Sequence, residues 1–170
     1  MKSQSRGRSE RPVATEVVNR QRRVRVDLKR IARLADRTLA AVGRADAALT
    51  IAFVRDPVIR RLNRDYRGKD SATDVLSFPF GEEQEESSAQ ESGDRRRGPA
   101  GEKGEYLGDI VISTDRAISQ AEDAGLSVER EVSELVIHGV LHLCGYDHET
   151  DRGTMNRVEL KLRRMLVLRF

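Results

Sequence analysis

The sequence predicts a single α+β domain, in which a mixed sheet of about four strands packs with about five helices. Two observations predict this fold class. Apolar residues alternate along some segments and recur at three- and four-residue spacing along others. Residues typical of helix starts and stops lie at the ends of the second kind of segment. The length of 170 residues suits one domain with a substantial core.

The first three predicted elements are a strand, a helix and a strand. Residues 13–19 are typical of a short strand. Residues 27–42 carry apolar side chains at helical spacing: Leu28, Ile31, Ala35, Leu39 and Val42. Gly43 predicts the end of this helix. Residues 49–53 alternate between apolar and other side chains, which predicts the second strand.

A short helix and a third strand follow. Asp56 is predicted to cap the helix, with Pro57 in its first position, and Gly68 to end it. Residues 73–80, T-D-V-L-S-F-P-F, predict a strand. Pro79 cannot donate a hydrogen bond to a neighbouring strand, so this strand is expected to end there or lie at a sheet edge.

The last predicted elements are one strand and three helices. Residues 106–113, Y-L-G-D-I-V-I-S, predict the fourth strand. The helix after it ends at Gly125, and Ser127 is predicted to begin the next helix, which carries two of the chain's histidines. Residues 154–168 predict the last helix.

Two segments are predicted to be disordered. Residues 1–11 form a basic polar tail, and residues 81–105 form an insertion of Glu, Ser, Gly and Arg with almost no apolar side chains. Such a composition cannot offset the entropy of ordering the chain. Neither flank of the insertion carries a complete set of elements. We therefore interpret residues 12–170 as one domain with a loop inserted in it.

The composition is that of a soluble protein, with 38% hydrophobic and 35% charged residues. No apolar run approaches the roughly 20 residues that span a bilayer, and the N-terminal residues lack the apolar region of a secretory signal. The single cysteine, Cys144, cannot form an internal disulfide. We expect a cytoplasmic protein with no membrane partner.

Arginine is concentrated in the first third of the chain, although the net charge is only +3. The cluster consists of Arg20, Arg22, Arg23, Arg25, Arg30, Arg33 and Arg37. Clustered arginine suits a phosphate-backbone partner. A solvated helix face explains the same charges equally well, so the charge alone leaves both interpretations open.

All three histidines lie in residues 138–148, H-G-V-L-H-L-C-G-Y-D-H. On a helix, His138 and His142 lie one turn apart on the same face, with Cβ atoms about 5–6 Å from each other. Gly145 allows the helix to end and the chain to turn, so that His148 can reach the same metal ion. Three protein ligands leave a position for water, as in catalytic zinc sites.

The spacing H-x-x-x-H-x-x-G-x-x-H also occurs in metzincin proteases, so the helix is zincin-like. Those proteases carry Glu directly after the first histidine, where it acts as the general base. Gly139 stands at this position and has no side chain to accept a proton. This argues against a peptidase, and a metalloprotease is the less favoured alternative.

Residues 138–148 resemble the signature of the YbeY family, the bacterial metal-dependent endoribonucleases that act as rRNA maturation factors. Two other stretches carry the resemblance: N-R-D-Y-R-G-K-D at 63–70 running into T-D-V-L-S-F-P at 73–79, and L-G-D-I-V-I-S at 107–113. The order of the predicted elements also fits. Residues 1–11 and the charged loop at 81–105 lie outside the resemblance, and the length of that loop departs from the family.

The resemblance implies a single-strand-specific, metal-dependent endoribonuclease that acts in maturation of the 3′ end of small-subunit rRNA and in ribosome quality control. His138, His142 and His148 match the family's three metal ligands, normally described with one Zn²⁺. Arg67, in the pattern N-x-x-Y-R, matches an arginine that the family needs for activity on RNA. The implied partners are ribosomal RNA and the small ribosomal subunit or an associated protein, and no DNA is expected.

A metal at this site would polarise a phosphoryl oxygen or lower the pKa of its water. Arg67, planar and always charged, could hold two phosphate oxygens in the transition state. Without the resemblance, it would be interpreted as a surface arginine beyond a helix end.

No general base is evident in the sequence. Four carboxylates are candidates to orient the ligand imidazoles, although such residues are more often caps or solvated side chains: Asp74, Asp109, Glu134 and Asp147. Cys144, two residues past His142, should point away from the site and is not counted as a ligand.

A non-catalytic assembly factor that binds RNA or the ribosome, with zinc serving only its structure, is the main alternative. A structural zinc site normally has four protein ligands, and the sequence offers three. The arginine cluster fits both RNA functions and does not distinguish them.

Overall fold

The structure is a computed structural model that describes residues 15–81, 104–148, 150 and 152–167. The elements in chain order are β1 Glu16–Asn19, α1 Leu28–Ala41, β2 Ala47–Val54, α2 Asp56–Arg67, β3 Val75–Pro79, β4 Glu105–Ser113, α3 Thr114–Ala124, α4 Val128–Leu143 and α5 Thr154–Leu166. The predicted α+β fold, with a mixed four-stranded sheet and five helices, is confirmed for these ranges.

The sheet has the strand order β1-β2-β4-β3. β1, β2 and β4 are parallel, and β3 runs antiparallel to β4 at the edge. The edge position predicted from Pro79 is confirmed, because Pro79 is the last residue of β3. It pairs with Gly108, whose φ is +130° and where a Cβ would lie 2.1 Å from the carbonyl oxygen of Phe78. The glycine of the L-G-D stretch therefore lets β3 and β4 pair closely.

Helices cover both faces of the sheet. α1, α4 and α5 pack on one face, in a core that includes Leu39, Ile51, Ile110 and Leu141. α2 packs on the other face, where its Ile59 contacts a smaller cluster. α4 is buried along most of its length, which makes it the centre of the larger core. None of the helices within the described ranges is long and apolar enough to cross a membrane.

The predicted start of α2 is wrong by one residue. The helix begins at Asp56, and Arg55 is its N-cap without a side-chain hydrogen bond. The Asp56 carboxylate instead accepts a hydrogen bond of 2.6 Å from Ser113 Oγ and pairs with Arg116 at 3.1 Å. A tertiary contact has thus replaced the local cap that the sequence predicted.

Several predicted boundaries fall beyond the described residues. These are residues 13 and 14 of the first strand, residue 168 of the last helix, the tail at 1–11 and most of the insertion at 81–105. At the end of the predicted insertion, Glu105 is already the first residue of β4.

Candidate metal centre

α4 positions the first two histidines. Ser127 caps the helix as predicted, its side chain accepting from the backbone N–H of Arg130. His138 and His142 then lie one turn apart near the C-terminal end of the helix. Gly145, with φ of +88°, turns the chain back toward them.

The structure brings the three histidines together. The Nε2 atoms of His138 and His142 are 3.1 Å apart, and His148 Nε2 lies 3.4 Å from His138 Nδ1. One nitrogen from each ring can be chosen so that all three lie within 4.8 Å of one another. Two ligands of tetrahedral zinc, each about 2.05 Å from the metal, are about 3.3 Å apart. The three nitrogens therefore fit a single ion after small side-chain rotations.

The environment of His142 favours its neutral form. Burial lowers the pKa of this imidazole, and the neighbouring His138 and His148 lower it further. A neutral imidazole is the form that binds a metal, because the ligating nitrogen must carry a free electron pair.

Gly139 faces the sheet and not the histidine cluster. A Cβ at this position would lie 2.8 Å from Cγ2 of Ile110, a fully buried residue of β4. A longer side chain, such as the Glu of metzincin proteases, does not fit between α4 and β4. The close packing of the helix excludes the protease's general base here.

A carboxylate that the sequence analysis missed contacts two of the histidines. Glu159 of α5 is 5% exposed, and its Oε1 lies 3.3 Å from His138 Nδ1. Its Oε2 lies 3.8 Å from His148 Nε2. A carboxylate that accepts from the second nitrogen of a ligand histidine fixes the ring's orientation and tautomer.

Glu159 belongs to a buried charge network. Arg163 donates to Glu159 at 2.6 Å and to Glu134 at 2.6 Å, and Arg130 also contacts Glu134. Burial alone would raise the pKa of Glu159, but the hydrogen bonds and charges of His138 and Arg163 outweigh it and hold this pKa below its usual value. Glu159 is therefore a carboxylate, able to accept from His138.

The pattern of α5 contained a signal for this residue. The buried side chains of the helix are Met155, Glu159, Leu162 and Leu166, spaced by four, three and four residues. A glutamate on the apolar stripe of a helix needs a buried partner. Met165, another apolar residue of this helix, is exposed and lies off that stripe.

The four carboxylates proposed from sequence have other partners. Asp109 accepts from Tyr106 at 2.7 Å, and Asp74 accepts from the backbone N–H of Val75 and from Gln120. Asp147 accepts from Thr150, and its charge also acts on His142. Glu134 reaches the site only through Arg163.

Arg67, the last residue of α2, is held at the sheet edge. The helix ends at Gly68, as predicted, and buried Asn63 donates to Ser71 O at 2.8 Å, fixing the turn toward β3. Arg67 Nη2 donates to Ser77 O of β3 at 3.1 Å. Asn63, the first residue of the N-x-x-Y-R pattern, thus fixes the turn that follows Arg67, the last residue of the pattern.

The edge strand links Arg67 to the histidine helix. Ser77 Oγ donates a hydrogen bond of 3.4 Å to Gly139 O, and Gly139 follows His138 directly. The exposed Arg67 guanidinium and the backbone of the histidine helix therefore both contact β3. Among the described residues, Arg67 has no carboxylate partner, so its charge is available to an anion.

Comparison with known proteins adds a decisive observation to this geometry. Residues 16–166 match the family described as Endoribonuclease YbeY. The chain belongs to the YbeY endoribonuclease family. The predicted resemblance and the predicted class of enzyme, an RNA-cleaving hydrolase with a role in rRNA processing, are thereby confirmed at the level of the family.

Individual YbeY relatives support the assignment. The Endoribonuclease YbeY of Geobacter sulfurreducens is 37% identical over 153 residues, which is 89% of this chain and 93% of that protein. The relative from an Anaeromyxobacter species is 46% identical over 128 residues, 74% of this chain but 58% of the longer relative. A solution structure from Thermotoga maritima matches with a TM-score of 0.55 and 23% identity, covering 89% of this chain and 88% of that one. That likeness supports the fold alone.

Proposed function

We propose that this YbeY protein is a single-strand-specific, zinc-dependent endoribonuclease of ribosomal RNA processing, acting on the 3′ end of small-subunit rRNA and in ribosome quality control. The observation that carries the proposal is the convergence of three histidine nitrogens on α4 and the turn after it, in a chain of this family. Negative charge builds on the non-bridging oxygens of a phosphodiester during cleavage, and both a metal at these nitrogens and Arg67, which has no carboxylate partner among the described residues, could stabilise it.

Zinc is the proposed metal because three imidazole nitrogens with no fourth protein ligand in the described cluster suit catalytic zinc. His138, His142 and His148 would hold it. When bound, it would polarise a phosphoryl oxygen or make hydroxide available near neutral pH.

The chain's own side chains then have separate roles in the proposal. Glu159 orients the His138 ring through Nδ1, and Arg163 keeps Glu159 in place. Arg67 uses one donor on Ser77 O, and its remaining N–H groups can bind two phosphate oxygens at once. Arg67 is therefore the proposed contact for the charge that develops in the transition state.

The proposed partners are ribosomal RNA and the small ribosomal subunit or a protein associated with it. A cytoplasmic location follows from such a substrate. The half-buried free thiol of Cys144 agrees with a reducing compartment.

Cleavage of a labelled single-stranded fragment of small-subunit rRNA tests the function. Wild type, His142→Ala and Arg67→Glu should be purified side by side and assayed with and without added zinc. We expect cutting by the zinc-loaded wild type, none by His142→Ala, and a loss of at least about a hundredfold in Arg67→Glu at unchanged zinc content. Leu160→Ala, on the exposed face of α5, is the control that should cut normally.

The outcomes separate the proposal from its alternatives. If His142→Ala cuts as well as wild type, the activity belongs to a contaminating ribonuclease. If wild type binds rRNA and zinc but never cuts, including on isolated small subunits, the non-catalytic assembly factor is the better assignment. A peptidase is disfavoured by the packing of Gly139 against Ile110.

A further inference from the structure

Four aromatic side chains lie together along the edge strand, outside the machinery described above. Tyr66 of α2 contacts Phe78 of β3 edge to face, with ring centroids 5.3 Å apart. Phe80, directly after β3, contacts Tyr106 of β4 in the same way at 5.5 Å. We call Tyr66, Phe78, Phe80 and Tyr106 the aromatic edge.

Two rings of the aromatic edge are open to solvent. Tyr66 is 58% exposed and Phe80 is 53% exposed. They are the only aromatic members of the exposed large hydrophobic side chains in the described part of the chain. An edge-to-face contact leaves at least one face of each ring free, so both rings can accept a flat partner.

Positive charge without a carboxylate partner borders these rings. Arg67 follows Tyr66 directly, and its guanidinium contacts the carbonyl of Ser77, the residue before Phe78. Two other arginines of α2 are paired with carboxylates, Arg60 with Asp70 at 2.9 Å and Arg64 with Asp65 at 3.0 Å.

Exposed ring faces beside uncompensated arginine suit a single-stranded nucleic acid. Bases stack on aromatic side chains while arginine neutralises the phosphates between them. A protein partner would not need the free positive charge. A duplex cannot use the rings, because its bases are already stacked on each other.

From this juxtaposition we propose that Tyr66 and Phe80 are base-stacking sites that hold two nucleotides of single-stranded RNA along β3, and that Arg67 binds a phosphate beside them. The inference rests on the proposed function and adds the source of its single-strand preference. Ser77 contacts Arg67 through its carbonyl oxygen and the backbone of α4 through its hydroxyl, so this strand connects the aromatic edge to the helix that carries His138 and His142.

The test uses the zinc-loaded full chain and single-stranded rRNA oligonucleotides that carry 2-aminopurine. Stopped-flow fluorescence reports stacking before cleavage, since this base loses fluorescence when it stacks. In Tyr66→Ala and in Phe80→Ala we expect roughly tenfold weaker binding of the single strand and a smaller quench. KM should rise by about the same factor while kcat stays within about twofold, and affinity for a hairpin duplex should not change.

Matched variants separate stacking from folding and from charge. Tyr66→Phe and Phe80→Tyr keep the rings and should bind normally, whereas Tyr66→Leu keeps an apolar contact with Phe78 but lacks a ring and should bind weakly. Arg67→Gln should flatten the dependence of log K on log salt concentration by about 0.7, and Tyr66→Ala should leave that slope unchanged. Leu160→Ala removes an apolar side chain that is also 53% exposed, on α5, and should bind RNA normally.

Each outcome decides the inference. Wild type that neither binds nor cuts single-stranded RNA would overturn both the proposed function and the stacking site. Wild type that cuts, with Tyr66→Ala and Phe80→Ala equal to it in KM and quench, would overturn the stacking site alone. An equal loss in Leu160→Ala would place the RNA on α5 and also refute it.

Discussion

Replacing Glu159 by Gln should weaken zinc binding by about tenfold. The carboxylate Oε1 lies 3.3 Å from His138 Nδ1 and accepts a hydrogen bond of 2.6 Å from Arg163. Loss of a partner that orients a ligand histidine typically lowers metal affinity by about 10- to 100-fold. Glutamine keeps an acceptor for the ring but loses the charge that makes the imidazole more basic. We therefore expect the lower end of that range, about 1.4 kcal/mol of binding free energy.

In Glu159→Gln the free energy of unfolding should change less than the free energy of zinc binding, because Arg163 stays paired with Glu134 at 2.6 Å. Glu159→Ala removes the acceptor as well, and we expect zinc affinity near the hundredfold end of the range. The series Glu, Gln, Ala thus grades the contribution of the carboxylate to His138.

The measurement is a competition for zinc between the protein and a chromophoric chelator at pH 7.5. Glu129→Gln is the matched control, because the Glu129 side chain is 72% exposed and its ion pair among the described residues is a surface one, with Arg30 at 3.2 Å. Its zinc affinity should stay within about twofold of wild type. Thermal unfolding of each metal-free variant checks that the fold is retained.

Two results would refute the reasoning. A zinc affinity of Glu159→Gln equal to wild type would show that the carboxylate does not orient His138. A loss beyond about a thousandfold would exceed what an orienting residue contributes and would make Glu159 a direct ligand.

Three further predictions concern packing and pH, each measured by urea unfolding of the metal-free chain. Gly108→Ala should lose at least about 3 kcal/mol of unfolding free energy, because its Cβ would meet the Phe78 carbonyl oxygen at 2.1 Å with φ at +130°. Gly139→Ala should lose about 1 kcal/mol, since overpacking against Ile110, at about 1–3 kcal/mol, outweighs a gain of about 1 kcal/mol in helix propensity. An unfolding midpoint equal to that of wild type in Gly108→Ala or in Gly139→Ala would contradict the packing argument. Burial raises the pKa of Tyr106 to about 12, so stability should fall between pH 10 and pH 12 as the unfolded chain loses this proton first. In Tyr106→Phe the free energy of unfolding should fall less over this pH range, and a pH dependence equal to that of wild type would contradict the raised pKa of Tyr106.

The sequence predicted the elements well where local chemistry decides the structure. Ser127 caps α4 as predicted, and Gly68 and Gly125 end α2 and α3 in the left-handed conformation. The strand order could not be read, because pairing β4 between β2 and β3 depends on which strand faces bury together. The alternation of apolar residues along each strand does not determine which strands pair with each other.

The site was predictable only in the part that lies within one segment of the chain. The histidines fall within eleven positions of each other, so helix geometry alone brought two of them together. Glu159 is contributed by another helix, and its role depends on how α5 packs on α4. Asp56 failed as a cap for the same kind of reason, since Ser113 of another element binds its carboxylate. Residues whose partners are distant in sequence give only indirect signals, such as a glutamate on an apolar helix face.

The packing of α4 also explains why the metzincin spacing of histidines occurs here without the protease's glutamate. Ile110 of β4 fills the space beside Gly139, so that position belongs to the core and cannot supply a base. The histidines on the adjacent helix face remain free to converge, and the acidic partner comes from α5 as Glu159. Arg67, the residue proposed to bind phosphate oxygens, comes from α2 and is held to β3. The same spacing of histidines thus occurs in a family with a different reaction, because the elements packed around the helix determine which side chains lie next to the histidines.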